Sequence, residues 1–324
     1  MPFDPGPLGR DNKPMTVWEP IASETPAPAE QGFSPAFEVA RPPAGETSDD
    51  PSPSTPLVFA SPHSGRLYPP EMMAAARLTT QDLRGSEDAF VDELIAGTPA
   101  LGACVIRARL ARAYIDLNRD AWELDPTMFE DTLPDFAQGR TARVAAGLGA
   151  IARLASEGRP IYARKLTLAE ATARIDTAHR PYHDALDRLL AQARNAHGLA
   201  ILVDWHSMPA AAARGYRARG GGPCDIVLGD RFGAACGPKL TALMEKALET
   251  LGYRVARNAP YAGGYTTEHY GRPAKRTHAI QVEINRALYM NETTREPTEG
   301  LARLKADIES VTRQLAGTDW AELL

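Results

Sequence analysis

A chain of 324 residues with 44% hydrophobic side chains can bury a substantial core, and its net charge of −5 with a pI near 5.9 gives no electrostatic footing for nucleic acid or an anionic membrane surface. No stretch approaches the roughly 18 apolar residues that cross a bilayer, and no apolar core follows the early Arg10 and Lys13, so neither a membrane span nor a signal peptide is expected. Cys104, Cys224 and Cys236 are odd in number and lack CxxC spacing, which suits structural thiols in a reducing cytoplasm.

In chain order, residues 1–56 come first and hold a large share of the prolines, in stretches such as Pro26-Ala-Pro-Ala-Glu30 and Pro51-Ser-Pro-Ser-Thr-Pro56. Such a segment buries too little apolar surface to offset its ordering entropy, so it is expected to be an irregular arm or a strap over the domain. One α/β domain is expected over residues 57–324. Strands are predicted at Leu57–Ala60, Ala103–Ala108, Ala113–Asp116, Leu199–Asp204, Arg254–Arg257 and His278–Ile284. Helices are predicted between them at Asp88–Ala96, Thr141–Glu157, Thr167–Ala196 (with a kink at Pro181), Gly237–Leu251 and Glu299–Leu315. This alternation is the pattern of an α/β domain with a mainly parallel sheet. Gly220-Gly-Gly-Pro223 is expected to be a flexible loop.

In open α/β sheets ligands sit beyond the carboxyl ends of the strands, so the residues placed there matter most. His63, in Ser61-Pro-His-Ser-Gly65, and His206, in Asp204-Trp-His-Ser-Met208, each follow an apolar strand and together suggest a metal pair. A catalytic zinc site needs a third protein ligand and an open position, and Arg66 stands three residues after His63. The acidic pair Glu87-Asp88 supplies the candidates for that ligand, with Asp88 favoured; the plainer alternative is that both acids complement a helix N-terminus. Asp204 is placed either to orient a metal-bound imidazole or to cap a loop.

Glu283 interrupts the apolar strand His278–Ile284, where partial desolvation would raise its pKa and suit it to be a general base. The alternative is a buried salt bridge to Arg286 or Arg119. Asn118 and Arg119 offer a donor fork for a substrate carboxylate, and Arg272 offers a grip on a second anionic group. The glycine-rich Tyr261-Ala-Gly-Gly-Tyr-Thr-Thr267, with Tyr265 as a substrate contact, reads as a mobile loop that closes over the site; it lacks the GxxxxGK[ST] pattern of a P-loop. His179 and His183 are expected to be surface or capping residues, His197 a helix-end cap, and His278 has no evident partner.

These segments, taken together, resemble the N-formylglutamate amidohydrolases. The resemblance rests on Ser61–Gly65, Asp88 with Val91-Asp92, Asp116-Leu-Asn-Arg119, Asp204–Ser207, Gly263–Pro273, and Gln281–Arg286 with Tyr289-Met290, and spans roughly Leu57 to Asn291. That family is similar in turn to zinc carboxypeptidases and succinylglutamate desuccinylase. The resemblance implies a three-layer α/β fold of the phosphorylase/hydrolase-like, zinc-peptidase-like kind, with a mixed, mainly parallel sheet flanked by helices. It also implies one catalytic Zn2+ held by His63, Asp88 and His206, Glu283 as the base, and Asn118 with Arg119 as carboxylate binders. In those zinc enzymes a Glu ligand stands where this chain has Arg66. The implied reaction is hydrolysis of N-formyl-L-glutamate, a small anionic acyl amino acid, to formate and L-glutamate in histidine degradation. Two rivals remain, a hydrolase of another N-acyl amino acid or small peptide and a non-catalytic binding protein on the same fold.

Overall fold

The central strands of the computed structural model run through continuous apolar sequence, because a parallel sheet is covered on both faces. The structure describes residues 18–19, 33–43, 53–216 and 221–323. Eight strands form one sheet: β1 (Trp18–Glu19), β2 (Phe37–Ala40), β3 (Leu57–Ser61), β4 (Cys104–Ala108), β5 (Ala200–Met208), β6 (Ile226–Gly229), β7 (Val255–Arg257) and β8 (Thr277–Asn285). Their order is β1-β2-β4-β3-β5-β8-β6-β7. The central four, β4-β3-β5-β8, are parallel; β2 runs antiparallel to β4 and β6 antiparallel to β8.

Alternate residues of each strand feed two separate cores, as the period of two requires. Val58, Ala60, Ile106 and Leu202 pack with Tyr182, Leu186 and Leu189 of helix Arg180–His197. Leu57, Phe59, Val203 and Ile280 pack with Leu240 and Met244 of helix Pro238–Thr250 and Leu304 and Ile308 of helix Gly300–Ala316. The result is the expected three-layer arrangement. Helix Arg180–His197 buries residues at intervals of three and four, and it stops at Gly198, whose φ of 72° closes the end by returning its N–H to Arg194.

Several elements differ from the sequence expectation, each for a local reason. Phe37–Ala40 lies within the stretch expected to be irregular, yet it is a buried strand on β4, tied there by Arg107 donating to Glu38 at 2.6 and 2.9 Å. Pro26–Glu30 lies outside the described residues, as does part of the loop at Gly220. Ala113–Asp116 is a series of turns, because the place beside β4 is taken by β2 and side chains satisfy the segment's carbonyls: Arg174 donates to Tyr114 O at 3.0 Å. The helix expected over Thr141–Glu157 is confined to Ala142–Ala145, since Gly147 and Gly158 take φ of 79° and 70° and a Cβ at Gly149 would meet Glu123 O at 2.3 Å. The helix after Asp88 shrinks to Val91–Leu94, behind a left-handed Phe90. Around Pro181 the long helix widens to a π turn, Ile175–His179, which accommodates the missing N–H. Strand β6, three aliphatic residues closed by Gly229, was not foreseen.

Candidate active site

The parallel register sets His206 of β5 beside Glu283 of β8, and both residues share the sheet face that carries Asp204 and Gln281. His63 stands just beyond β3, the other neighbour of β5. The residue after Glu87 completes the cluster: Asp88 N–H donates to His63 O at 3.0 Å, which draws its carboxylate over the same strand ends. His63 Nδ1, His206 Nδ1 and Asp88 Oδ2 then face one another, at 3.1 Å between the nitrogens and 3.4 and 3.1 Å from each nitrogen to the oxygen. All three side chains are buried.

Whether the donor set suits a metal depends on where each imidazole proton lies. Asp116 Oδ1 sits 2.6 Å from His63 Nε2, and a carboxylate only accepts, so that nitrogen carries the proton and Nδ1 presents a bare lone pair. His206 Nε2 has two neighbours, Asp204 Oδ2 at 2.9 Å and the Asn118 amide nitrogen at 3.1 Å. Asp204 is completely buried and its oxygens accept no well-aligned hydrogen bond, so in the neutral imidazole, the form that binds a metal, its charge draws the proton to Nε2 and leaves His206 Nδ1 bare as well. Two lone pairs and a carboxylate oxygen therefore converge at separations close to the roughly 3.3 Å edge of a tetrahedron with 2.0–2.1 Å metal bonds. The residues fit a divalent cation.

Burial and neighbouring charge sort the carboxylates into different states. Asp88 and Asp116 are desolvated, yet the surrounding histidines and arginines outweigh burial and hold both well below the usual carboxylate range. Burial dominates at Glu283 and pushes it up to about 7. His206, in contrast, is raised well above the ordinary imidazole value: burial opposes its charge, but Asp204, Asp88 and Glu283 prevail. A strand-borne carboxylate that titrates near neutrality beside ionised ones is the arrangement from which a proton acceptor is made.

A cavity of about 490 Å³ contains this cluster and is lined also by Arg112, Arg119, Arg143, Tyr261 and Arg286. Arg286 donates to Asp88 Oδ1 at 2.9 Å and Arg112 to Asp116 Oδ2 at 2.8 Å. The structure thus brings together His63, Asp88, Asn118, Arg119, His206 and Glu283, with Asp204 beneath His206. Glu87 turns away, accepting from Tyr68 OH at 2.6 Å. Asn118 lines the cavity, but its amide is engaged by the protein: Oδ1 accepts from Thr266 N–H at 2.8 Å and Nδ2 donates to Gln281 Oε1 at 3.5 Å. Tyr265 is outside the lining, stacked on His269 at 5.0 Å, and Arg272 is exposed with its guanidinium on the carbonyl of Gly271 at 2.8 Å.

The glycine-rich segment is held rather than loose in this structure, since Gly264 N–H donates to Gln281 Oε1 at 2.7 Å and a Cβ at Gly264 would strike Asn118. His179 and His183 are buried, not superficial: their Nε2 atoms sit 2.9 Å from the carbonyls of Arg119 and Leu117, on either side of Asn118. His197 reaches Pro53 O at 2.7 Å, and His278 accepts from Gly237 N–H at 3.1 Å. Sequence reasoning missed Arg112, Arg143 and Gln281.

A three-layer α/β fold with a convergent ligand set and a neutral-titrating carboxylate at its strand ends has the form of a hydrolase. A family model described as N-formylglutamate amidohydrolase matches residues 55–290, and this chain belongs to that family. It is 30% identical over 263 residues to N-formylglutamate deformylase of Pseudomonas putida, covering 80% of this chain and 90% of that one. The corresponding Pseudomonas aeruginosa protein is 28% identical over 261 residues, covering 80% and 88%. The crystal structure of N-formylglutamate amidohydrolase from Ralstonia eutropha JMP134 superposes with a TM-score of 0.79 at 38% identity, covering 87% of this chain and 97% of that one.

Proposed function

We propose that the protein hydrolyses N-formyl-L-glutamate to formate and L-glutamate, with one divalent metal ion, Zn2+, held by His63 Nδ1, His206 Nδ1 and Asp88 Oδ2. The observation that carries this reading is the convergence of those three atoms while Asp116 and Asp204 occupy the far nitrogens of the imidazoles. The mixed imidazole and carboxylate set suits zinc. When bound, the ion would supply Lewis acidity, polarising the formyl carbonyl and lowering the pKa of water towards about 7. Glu283, ionised, takes a proton from the attacking water and returns it to the leaving nitrogen. Burial keeps that carboxylate basic enough to accept and still acidic enough to release. Arg112 and Arg286 anchor the acids around the ligand set, and Arg119, with one Nη still 4.0 Å from Asp116, is free to meet the α-carboxylate.

The test is formate release from N-formyl-L-glutamate, before and after chelation, alongside N-acetyl- and N-succinyl-glutamate and N-formyl-aspartate. Release that stops on chelation and returns with zinc supports the reading. Preference for a larger acyl group would favour the second reading, a hydrolase of another N-acyl amino acid, for which a cavity of about 490 Å³ has room. Bound metal without turnover of any of these compounds would point to a sensor.

A further inference from the structure

Four arginines line the cavity, and they are not equivalent. Arg112 and Arg286 are neutralised by Asp116 and Asp88, next to the ligand set. Arg119 spends Nε on Leu148 O at 2.9 Å and Nη1 on Asn118 O at 2.6 Å, which fixes its plane and leaves Nη2 towards the cavity. Arg143, carried by the short helix Ala142–Ala145, touches none of the metal-site residues; its ion pair is with Glu123 at 3.8 Å, beyond hydrogen-bond range. Glu123 is itself buried and already accepts the hydroxyl of Thr141, the cap of that helix.

Arg143 and Arg119 are close enough that, after burial, the like charges of Arg112 and Arg143 help to hold the Arg119 guanidinium below its usual pKa. Two cations face one cavity, each with its nearest carboxylate 3.8 or 4.0 Å away and beyond hydrogen-bond range, and together form a fork that an anion would relieve. We propose that Arg143 binds the anionic group of the substrate that lies farther from the scissile amide, and thereby sets the preference for an acidic N-acyl amino acid. This rests on the amidohydrolase reading above, which places the α-carboxylate at Arg119. Arg143 lines the same cavity and pairs with none of the ligand-set residues, which leaves it available to the distal carboxylate.

The experiment compares wild type with Arg143→Met and Arg143→Lys, both zinc-loaded, on N-formyl-L-glutamate and its near-isostere N-formyl-L-glutamine, which keeps the α-carboxylate but has an uncharged side chain. Binding of glutarate and butyrate is measured in parallel by calorimetry. The expected result is a glutamate-over-glutamine ratio of kcat/KM that falls at least tenfold in Arg143→Met, mainly through KM. Arg143→Lys should be intermediate, and glutarate binding should weaken in the same order while butyrate binding does not. Equal losses on both substrates, or glutarate binding indifferent to residue 143, would overturn the assignment. Arg143-dependent glutarate binding in a protein that releases no formate would sustain it while removing the proposed reaction.

Discussion

The strand ends of β3, β5 and β8 and the cavity wall formed by residues 141–161 contribute to the same site by opposite means. His63, His206 and Glu283 sit on or just beyond strands whose residues are all buried but for the terminal Asn285, with backbones fixed by neighbours on both sides. The wall is mostly turns: one four-residue helix, glycines at positive φ, and Leu148 and Arg143 partly open to solvent. Chemistry that tolerates little displacement is carried by the rigid sheet, and selection among substrates by the part that can vary in length and side chain without disturbing the sheet.

Mutations in the two regions should differ in effect by orders of magnitude. The largest effect is expected at the ligands: His63→Ala with His206→Ala should abolish both measurable turnover and bound metal, and metal retained in the double variant would remove the ligand set. Glu283→Gln should keep the metal, because it leaves the three ligand atoms in place, and lower kcat by about 10²- to 10⁴-fold. Near-normal turnover in that variant would transfer the base role elsewhere. Next comes Asp116→Asn, which takes the carboxylate from His63 Nε2; its metal affinity should fall by about 10- to 100-fold, read by competition with a chelating dye.

Acidification tests the same carboxylate without mutation. Glu283 works ionised and its pKa is raised to about 7, so kcat/KM should fall about tenfold per pH unit on an acid limb at or below that value, a nearby cation moving the limb downward. A profile flat to pH 5 would contradict the assignment. The smallest effect should come from the wall, where Leu148→Ala ought to change unfolding free energy by no more than about 0.5 kcal/mol, against about 3–5 kcal/mol for Phe59→Ala in the sheet, both by denaturant titration.

The same division governed what could be read in advance. Apolar runs ending in a polar residue marked β3, β5 and β8 and with them His63, His206 and Glu283, because period and burial leave a direct trace in sequence. Asp88 was legible as half of an acidic pair, but its precedence over Glu87 depends on Tyr68 lying within reach of Glu87, a contact between residues 19 apart. The inward placement of His179 and His183 depends on carbonyls about 60 residues earlier, at Arg119 and Leu117, and nothing local announces it. The misread turns at Ala113–Asp116 have propensity for a strand and no partner to pair with; β2 holds the position they would need.

That pairing of β2 with β4 has a further consequence. A parallel sheet whose outer strand lay bare would offer a row of unpaired N–H and C=O groups to any passing extended chain. Phe37–Ala40 closes that row from Val105 to Ala108, and Trp18–Glu19 in turn pairs with Val39 and Ala40. Among the described residues, Phe37–Ala40 and Trp18–Glu19 thereby leave only a two-residue strand at this edge of the sheet. A chain begun at Leu57 would keep every residue of the catalytic cluster and expose the template from which aggregates grow.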